Sequence, residues 1–122
     1  MVQAMMKTYT LKNCDTCKKA LKWLDAERIA FDNHDVRADG VSADWVGPVV
    51  EALGWEVALN RRSTTWRGLS DADKDAIDTQ KAVALILANP TLMKRPVFVK
   101  GKTVICGFDA KAQEAVRALA QE

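Results

Sequence analysis

At 122 residues and 48% hydrophobic content, the chain has the size of one domain and enough apolar material for a core without disulfide or metal staples. Its 18 basic residues against 16 acidic ones leave a formal charge of +2, too small to mark a nucleic-acid-binding surface, and no apolar run approaches the roughly 18 residues of a membrane span. The N-terminus lacks the charged region, apolar core and cleavage site of a signal peptide, so a cytoplasmic protein with neither membrane nor nucleic acid as partner is expected.

In chain order, residues 1–6 show no clear period, and 1–5 are set aside as an N-terminal extension, the domain proper being 6–122. Lys7 to Leu11 reads as a strand, with Tyr9 and Leu11 alternating against Thr8 and Thr10 before Asn13 and Asp15 break the pattern. From Thr16 to about Glu27, the residues Ala20, Leu21, Trp23 and Leu24 recur at helical spacing, with Asp15 or Thr16 available as cap. Ile29 to His34 is a second strand, and a strand-helix-strand unit argues for parallel pairing. Ser42 caps a helix carrying Trp45, Val46, Val49, Val50 and Leu53, which Pro48 should kink and Gly54 closes.

The stretch around Arg61, Arg62 and Arg67 reads as a polar loop, and Ser70 with Asp73 resembles a capping arrangement for another helix. Thr79 to Ala88 is apolar nearly all round, so burial on several sides is expected, and Asn89-Pro90 ends it. Residues 96–99 and 103–106 form a hairpin about Gly101; Gly101-Lys102-Thr103 is its turn and not a phosphate loop, since the first glycine of such a loop would fall at Pro96. Asp109 then caps a last helix whose Ala112, Ala115, Val116 and Leu119 share a face. The order βαβ, helices, ββα is that of an α/β fold, a thioredoxin-like (glutaredoxin-like) four-stranded mixed sheet with an inserted helical region.

Cys14-Asp15-Thr16-Cys17 lies between the first strand and the first helix, where free backbone N–H groups and the helix dipole favour a thiolate, and Lys12, Lys18 and Lys19 add positive potential. A thiolate attacks; a second cysteine three residues on can resolve the mixed disulfide. Cys14 is therefore the nucleophile. Cys17 is either the resolving thiol or an apolar helix residue that packs and never reacts. No second cysteine or histidine pair completes a zinc site, so no metal is expected, and Cys106, in a strand beside Ile105, is read as an inert core residue.

The segments KNCDTCKKALKWL, EALGW, LNRRSTTWR and KRPVFV, in this order and spacing, resemble the arsenate reductase (ArsC) family, in its Spx/YffB-like branch. The resemblance covers nearly the whole chain from Met6 and implies the same thioredoxin-like fold. It maps the family's nucleophile to Cys14 and its arginine before a cis-proline to Arg95, followed by Pro96. A second family arginine maps to Arg62, with Arg61 as its rival. Together with Lys18 these are the implied substrate-binding residues; guanidinium groups can hold an oxyanion or the carboxylate of a glutathione-like thiol through paired hydrogen bonds. Read without the family, Arg95 could be a buried ion-pair member and Arg61, Arg62 and Arg67 a solvated loop.

Two departures count against arsenate. The family's histidine four residues before the cysteine and arginine four after it are here Thr10 and Lys18, and a third arginine is replaced by Cys106-Gly107-Phe108. The expectation is a glutathione-linked thiol reductase with no bound cofactor and glutathione as co-substrate. Its partners would be glutathione, a glutaredoxin or a thioredoxin, and a protein disulfide as substrate, and a monomer is expected. The alternatives are an Spx-like regulator that binds RNA polymerase and uses Cys14 and Cys17 as a redox switch, and, third, arsenate reduction.

Overall fold

A computed structural model describes residues 5–122, so the extension at 1–5 lies outside the described residues except for the exposed Met5. The chain forms two compact units, one from the residues up to Asp35 together with Arg95–Glu122, the other from Val36–Lys94. The first holds the whole sheet: β1 (Met6–Thr10), β2 (Phe31–Asp35), β3 (Val97–Lys100) and β4 (Thr103–Cys106), with helices α1 (Asp15–Ala26) and α7 (Ala110–Ala120). Strand order is β2-β1-β3-β4. The β1–β2 pair is parallel, as the crossover helix requires, and β3 pairs antiparallel with both β1 and β4. This is the thioredoxin-like mixed sheet.

Met6 of β1 and Phe98 of β3 meet Ala20 and Leu24 of α1 and Val116 and Leu119 of α7 in one buried cluster. Thr8 and Thr10 lie on the same face of β1 as Met6, because strand side chains repeat every second residue. They are therefore buried rather than solvated, against the simple alternation read from the sequence. Buried hydroxyls need partners. Both donate to Oδ1 of Asn33, at 2.8 Å each, across the register that sets Thr8 beside Asn33.

β2 begins two residues later than the sequence suggests, at Phe31. The cause is the end of α1, where Arg28 takes a left-handed φ of 57° and the Ile29 N–H turns back to Leu24 O at 3.0 Å, which uses Ile29 to stop the helix. Gly101, at φ 61°, makes the β3–β4 turn. Asp109 caps α7 by accepting from Ala112 N at 2.8 Å; the buried face is Ala112, Val116 and Leu119, and Ala115 is exposed. Cys106 is also a correction: it sits on the edge strand β4 and is only half-buried, not a core residue.

The second unit is helical: α2 (Ala43–Leu53), single turns α3 (Trp55–Ala58), α4 (Thr64–Arg67) and α5 (Asp71–Lys74), then α6 (Thr79–Ala88) and a 3₁₀ turn at Pro90–Leu92. Ser42 accepts from Asp44 N at 3.1 Å at the head of α2, and Gly54 at φ 82° ends it, while Pro48 is accommodated within one uninterrupted helix. The segment read as an arginine-rich loop holds a helical turn, because Ser63 caps Trp66 N at 3.1 Å. Ser70 does the same for Asp73 N, but the helix it starts is only one turn long. α6 is buried on one side, through Ala82, Leu85 and Ile86; Leu87 is exposed, so the expected all-round burial does not occur. Among the described residues no helix is long and apolar enough to cross a membrane.

Candidate functional site

The carboxyl ends of β1 and β2 and the start of β3 lie at one end of the sheet, since β3 runs antiparallel to β1 with Val97 opposite Tyr9. There the chain leaves β1 through Leu11, Lys12 and Asn13 and enters α1 at Cys14. Cys14 is itself the N-cap residue, with extended φ/ψ of −100° and 117°, in place of the Asp15 or Thr16 expected from the sequence. Its N–H donates to Leu11 O at 3.1 Å, and its carbonyl accepts from Lys18 N at 3.0 Å. The side chain of an N-cap residue faces the unpaired N–H groups of the first turn. In this chain that side chain is a thiol.

The surroundings act on the thiol in opposing directions. Partial burial works to raise its pKa, but the N–H of Cys17, the Cys17 thiol, the positive charge of Arg95 and the N–H of Thr16 outweigh it, so Cys14 titrates below an ordinary cysteine. The cation acting on Cys14 is Arg95, which the family resemblance implied, beside the Lys12, Lys18 and Lys19 credited from the local sequence. Cys17 is 1% exposed. Burial pushes its pKa up to about 12, helped by the hydrogen bond to Cys14 and by the Cys14 charge, against the Leu11 N–H and Arg95. A protonated Cys17 thus donates S–H toward a Cys14 thiolate. Both cysteines are reduced in the structure.

Arg95 is half-buried, and its peptide bond to the buried Pro96 is cis. Pro96 leads directly into β3, and its carbonyl accepts from Gly107 N at 2.9 Å, which ties the segment after β4 to it. Cys14, Cys17, Arg95 and Pro96 therefore stand together in the first unit. Lys18 is exposed in the first turn of α1. Arg62 belongs to the second unit, exposed, with its N–H on Asn60 Oδ1 at 3.2 Å; its neighbour Arg61 lies over the Trp55 ring at 5.8 Å. The assignment of Arg62 therefore rests on the family pattern alone.

Among the described residues, no group of three or more His, Cys, Asp or Glu is arranged to hold a metal ion. A cleft of about 580 Å³, lined in part by Met6, Arg28, Ile29, Lys100 and Arg117, lies at the other end of the sheet and shares no residue with the cysteine site.

Two contacts at this end escaped the sequence reading. His34 stacks on Tyr9, with ring centroids 5.4 Å apart, and its Nε2 lies 3.2 Å from Asp32 Oδ2. Asp35, the last residue of β2, accepts the Lys12 N–H on Oδ2 at 2.7 Å. The second could have been anticipated from parallel pairing alone, which brings the end of β2 beside the loop that follows β1.

The sequence profile described as the ArsC family matches residues 9–116. An uncharacterized protein of Haemophilus influenzae is 40% identical over 91% of this chain and 97% of its own length. The global transcriptional regulator Spx of Listeria innocua is 27% identical over 86% of this chain and 81% of its own. Among solved structures, a YffB protein superposes with a TM-score of 0.85 at 40% identity, covering 91% of this chain and 97% of that one.

Proposed function

The chain belongs to the ArsC family, and we propose that it is a thiol-disulfide redox protein, a glutathione-dependent thiol reductase in which Cys14 is the nucleophile. The observation that carries this reading is the pairing of a thiol of lowered pKa at a helix N-cap with a buried thiol three residues on, beside Arg95. The Cys14 thiolate attacks one sulfur of a disulfide, forming a Cys14 mixed disulfide and expelling the other half as a thiolate. The adduct removes the Cys14 charge, one of the causes that hold Cys17 protonated. Cys17 then gives up its proton and attacks the Cys14 sulfur, releasing the second thiolate and leaving a Cys14–Cys17 disulfide. Two glutathione thiols restore the pair by becoming oxidised glutathione; alternatively one glutathione thiolate resolves the adduct directly. Arg95 and Lys18 serve as the cations for the substrate's carboxylates, with Pro96 setting the backbone beside Cys14, and the family pattern alone implies Arg62 for the same role.

The test is mass spectrometry of the reduced protein after exposure to oxidised glutathione. The wild type should give a Cys14–Cys17 disulfide, and Cys17→Ser a glutathione adduct on Cys14. An unmodified Cys14 in every variant sinks the reading.

A second reading, a redox-switched regulator that binds RNA polymerase, is favoured by the same dithiol and by the likeness to the Spx protein. It requires polymerase retention that changes when the Cys14–Cys17 pair is oxidised, and equal retention in both states removes it. Arsenate reduction is the third reading, weakened by Thr10 and Lys18 at the family's histidine and arginine positions; arsenate-dependent consumption of reducing equivalents tests it.

A further inference from the structure

The loop between β1 and α1 is three residues long and touches both cysteines. Leu11 accepts the Cys14 N–H through its carbonyl at 3.1 Å, and its own N–H acts on the Cys17 sulfur. Asn13 precedes Cys14 directly, so any rotation of the Lys12 peptide is passed to the nucleophile on one side and to Leu11 on the other. A loop this short has few internal hydrogen bonds to fix it, and Lys12 and Asn13 are both exposed. It is anchored from outside by Asp35, 23 residues away in sequence, whose Oδ2 takes the Lys12 N–H at 2.7 Å. A carboxylate accepting from a backbone N–H makes a short, charge-assisted bond with a defined direction. Asp35 is itself fixed, because it ends a strand in parallel register with β1, opposite Thr10.

We infer that Asp35 is a positioning residue for Cys14: its carboxylate, held at the end of β2, clamps the Lys12 peptide and so sets the Cys14 sulfur against the first-turn N–H groups of α1. This inference rests on the reading of Cys14 as the nucleophile and adds a residue that acts on it through the Lys12 peptide. It separates two properties of Asp35. A nearby negative charge by itself disfavours a thiolate, so a purely electrostatic role would make the neutral variant more reactive. A clamping role needs an acceptor oxygen at that place, which asparagine supplies and alanine does not.

The experiment compares the full-length wild type with Asp35→Ala and Asp35→Asn in the pH dependence of Cys14 alkylation by iodoacetamide, read by peptide mass spectrometry, with circular dichroism for folding. Exchange of the Lys12 amide is followed by NMR in the same three proteins. Asp35→Ala should slow Cys14 alkylation at neutral pH by about threefold to tenfold, move its pH midpoint upward and speed Lys12 exchange. Asp35→Asn should stay within about twofold of the wild type in rate and keep Lys12 protected.

Asp35→Ala with wild-type rate and midpoint overturns the inference, as does Asp35→Asn reacting more than about twofold faster than the wild type. If Asp35→Ala fails to fold, the asparagine variant and the Lys12 exchange decide: an unprotected Lys12 in the wild type overturns the clamp. A wild-type Cys14 no more reactive than a free cysteine at neutral pH overturns the nucleophile reading itself, and the clamp with it. These failures are distinguishable because the last is read on wild-type Cys14 itself, whereas those of the clamp alone are read on Lys12 exchange and the Asp35 variants.

Discussion

Replacing Cys17 by alanine isolates what the buried thiol does for its neighbour. The substitution removes the S–H that donates toward the Cys14 thiolate while leaving the first-turn N–H groups and Arg95 in place. Hydrogen bonds to charged groups contribute about 1.5–3 kcal/mol, and a thiol is a weak donor, so the lower end applies. About 1.4 kcal/mol is a factor of about ten in the Cys14 thiolate-to-thiol ratio at a fixed pH. The observed rate falls by less, because a more basic thiolate is the better nucleophile. With a Brønsted coefficient of about 0.4–0.5, a tenfold loss of thiolate becomes roughly a threefold to fourfold loss of rate below the midpoint. The assay is iodoacetamide alkylation of Cys14 across pH, resolved by peptide mass spectrometry. A Cys17→Ala protein that is folded and gives the wild-type Cys14 profile refutes the coupling.

Folded Cys17 keeps its proton to about pH 12 whereas the unfolded chain releases it near the ordinary thiol value, so the folded state binds more protons in that window. Stability therefore falls as pH rises from about 9, with a slope approaching about 1.4 kcal/mol per pH unit from this group; urea midpoints of Cys17→Ala should lack this component. Asn33→Ala leaves the two buried hydroxyls of Thr8 and Thr10 without their shared acceptor, which should cost about 2–4 kcal/mol in urea unfolding. Phe98→Ala, at the centre of the cluster shared by β3, α1 and α7, should cost about 3–5 kcal/mol in the same measurement.

What could be read from the sequence was what local chemistry decides. The caps Ser42, Ser70 and Asp109 accept the N–H groups their spacing implied, and the hairpin turns at Gly101. The βαβ opening, the late hairpin and the last helix give the observed sheet order, and Cys14 stands beside the Arg95-Pro96 step as the family pattern implied. Features decided by tertiary packing were hidden. Thr8 and Thr10 look like the wet face of β1, yet they share the face of Met6, which packs with α1 and α7, and are buried. Burial of Cys17, which sets its high pKa, is likewise decided by tertiary packing, as is the exposure of Ala115 on α7 and of Leu87 on α6. The N-cap role of Cys14 was obscured by the better capping residues that follow it. Asp35 left no local signal, because its partner lies 23 residues away and is a backbone N–H.

Activation of Cys14 by its place in the fold is tested by letting the three thiols of this chain compete. Reduced full-length protein is treated at pH 7 with less than one equivalent of iodoacetamide, and each cysteine peptide is quantified. Cys14 should take nearly all of the label, with buried Cys17 unlabelled and the half-buried Cys106 far behind. Label distributed first to Cys106, or evenly across the thiols, would contradict an activated Cys14.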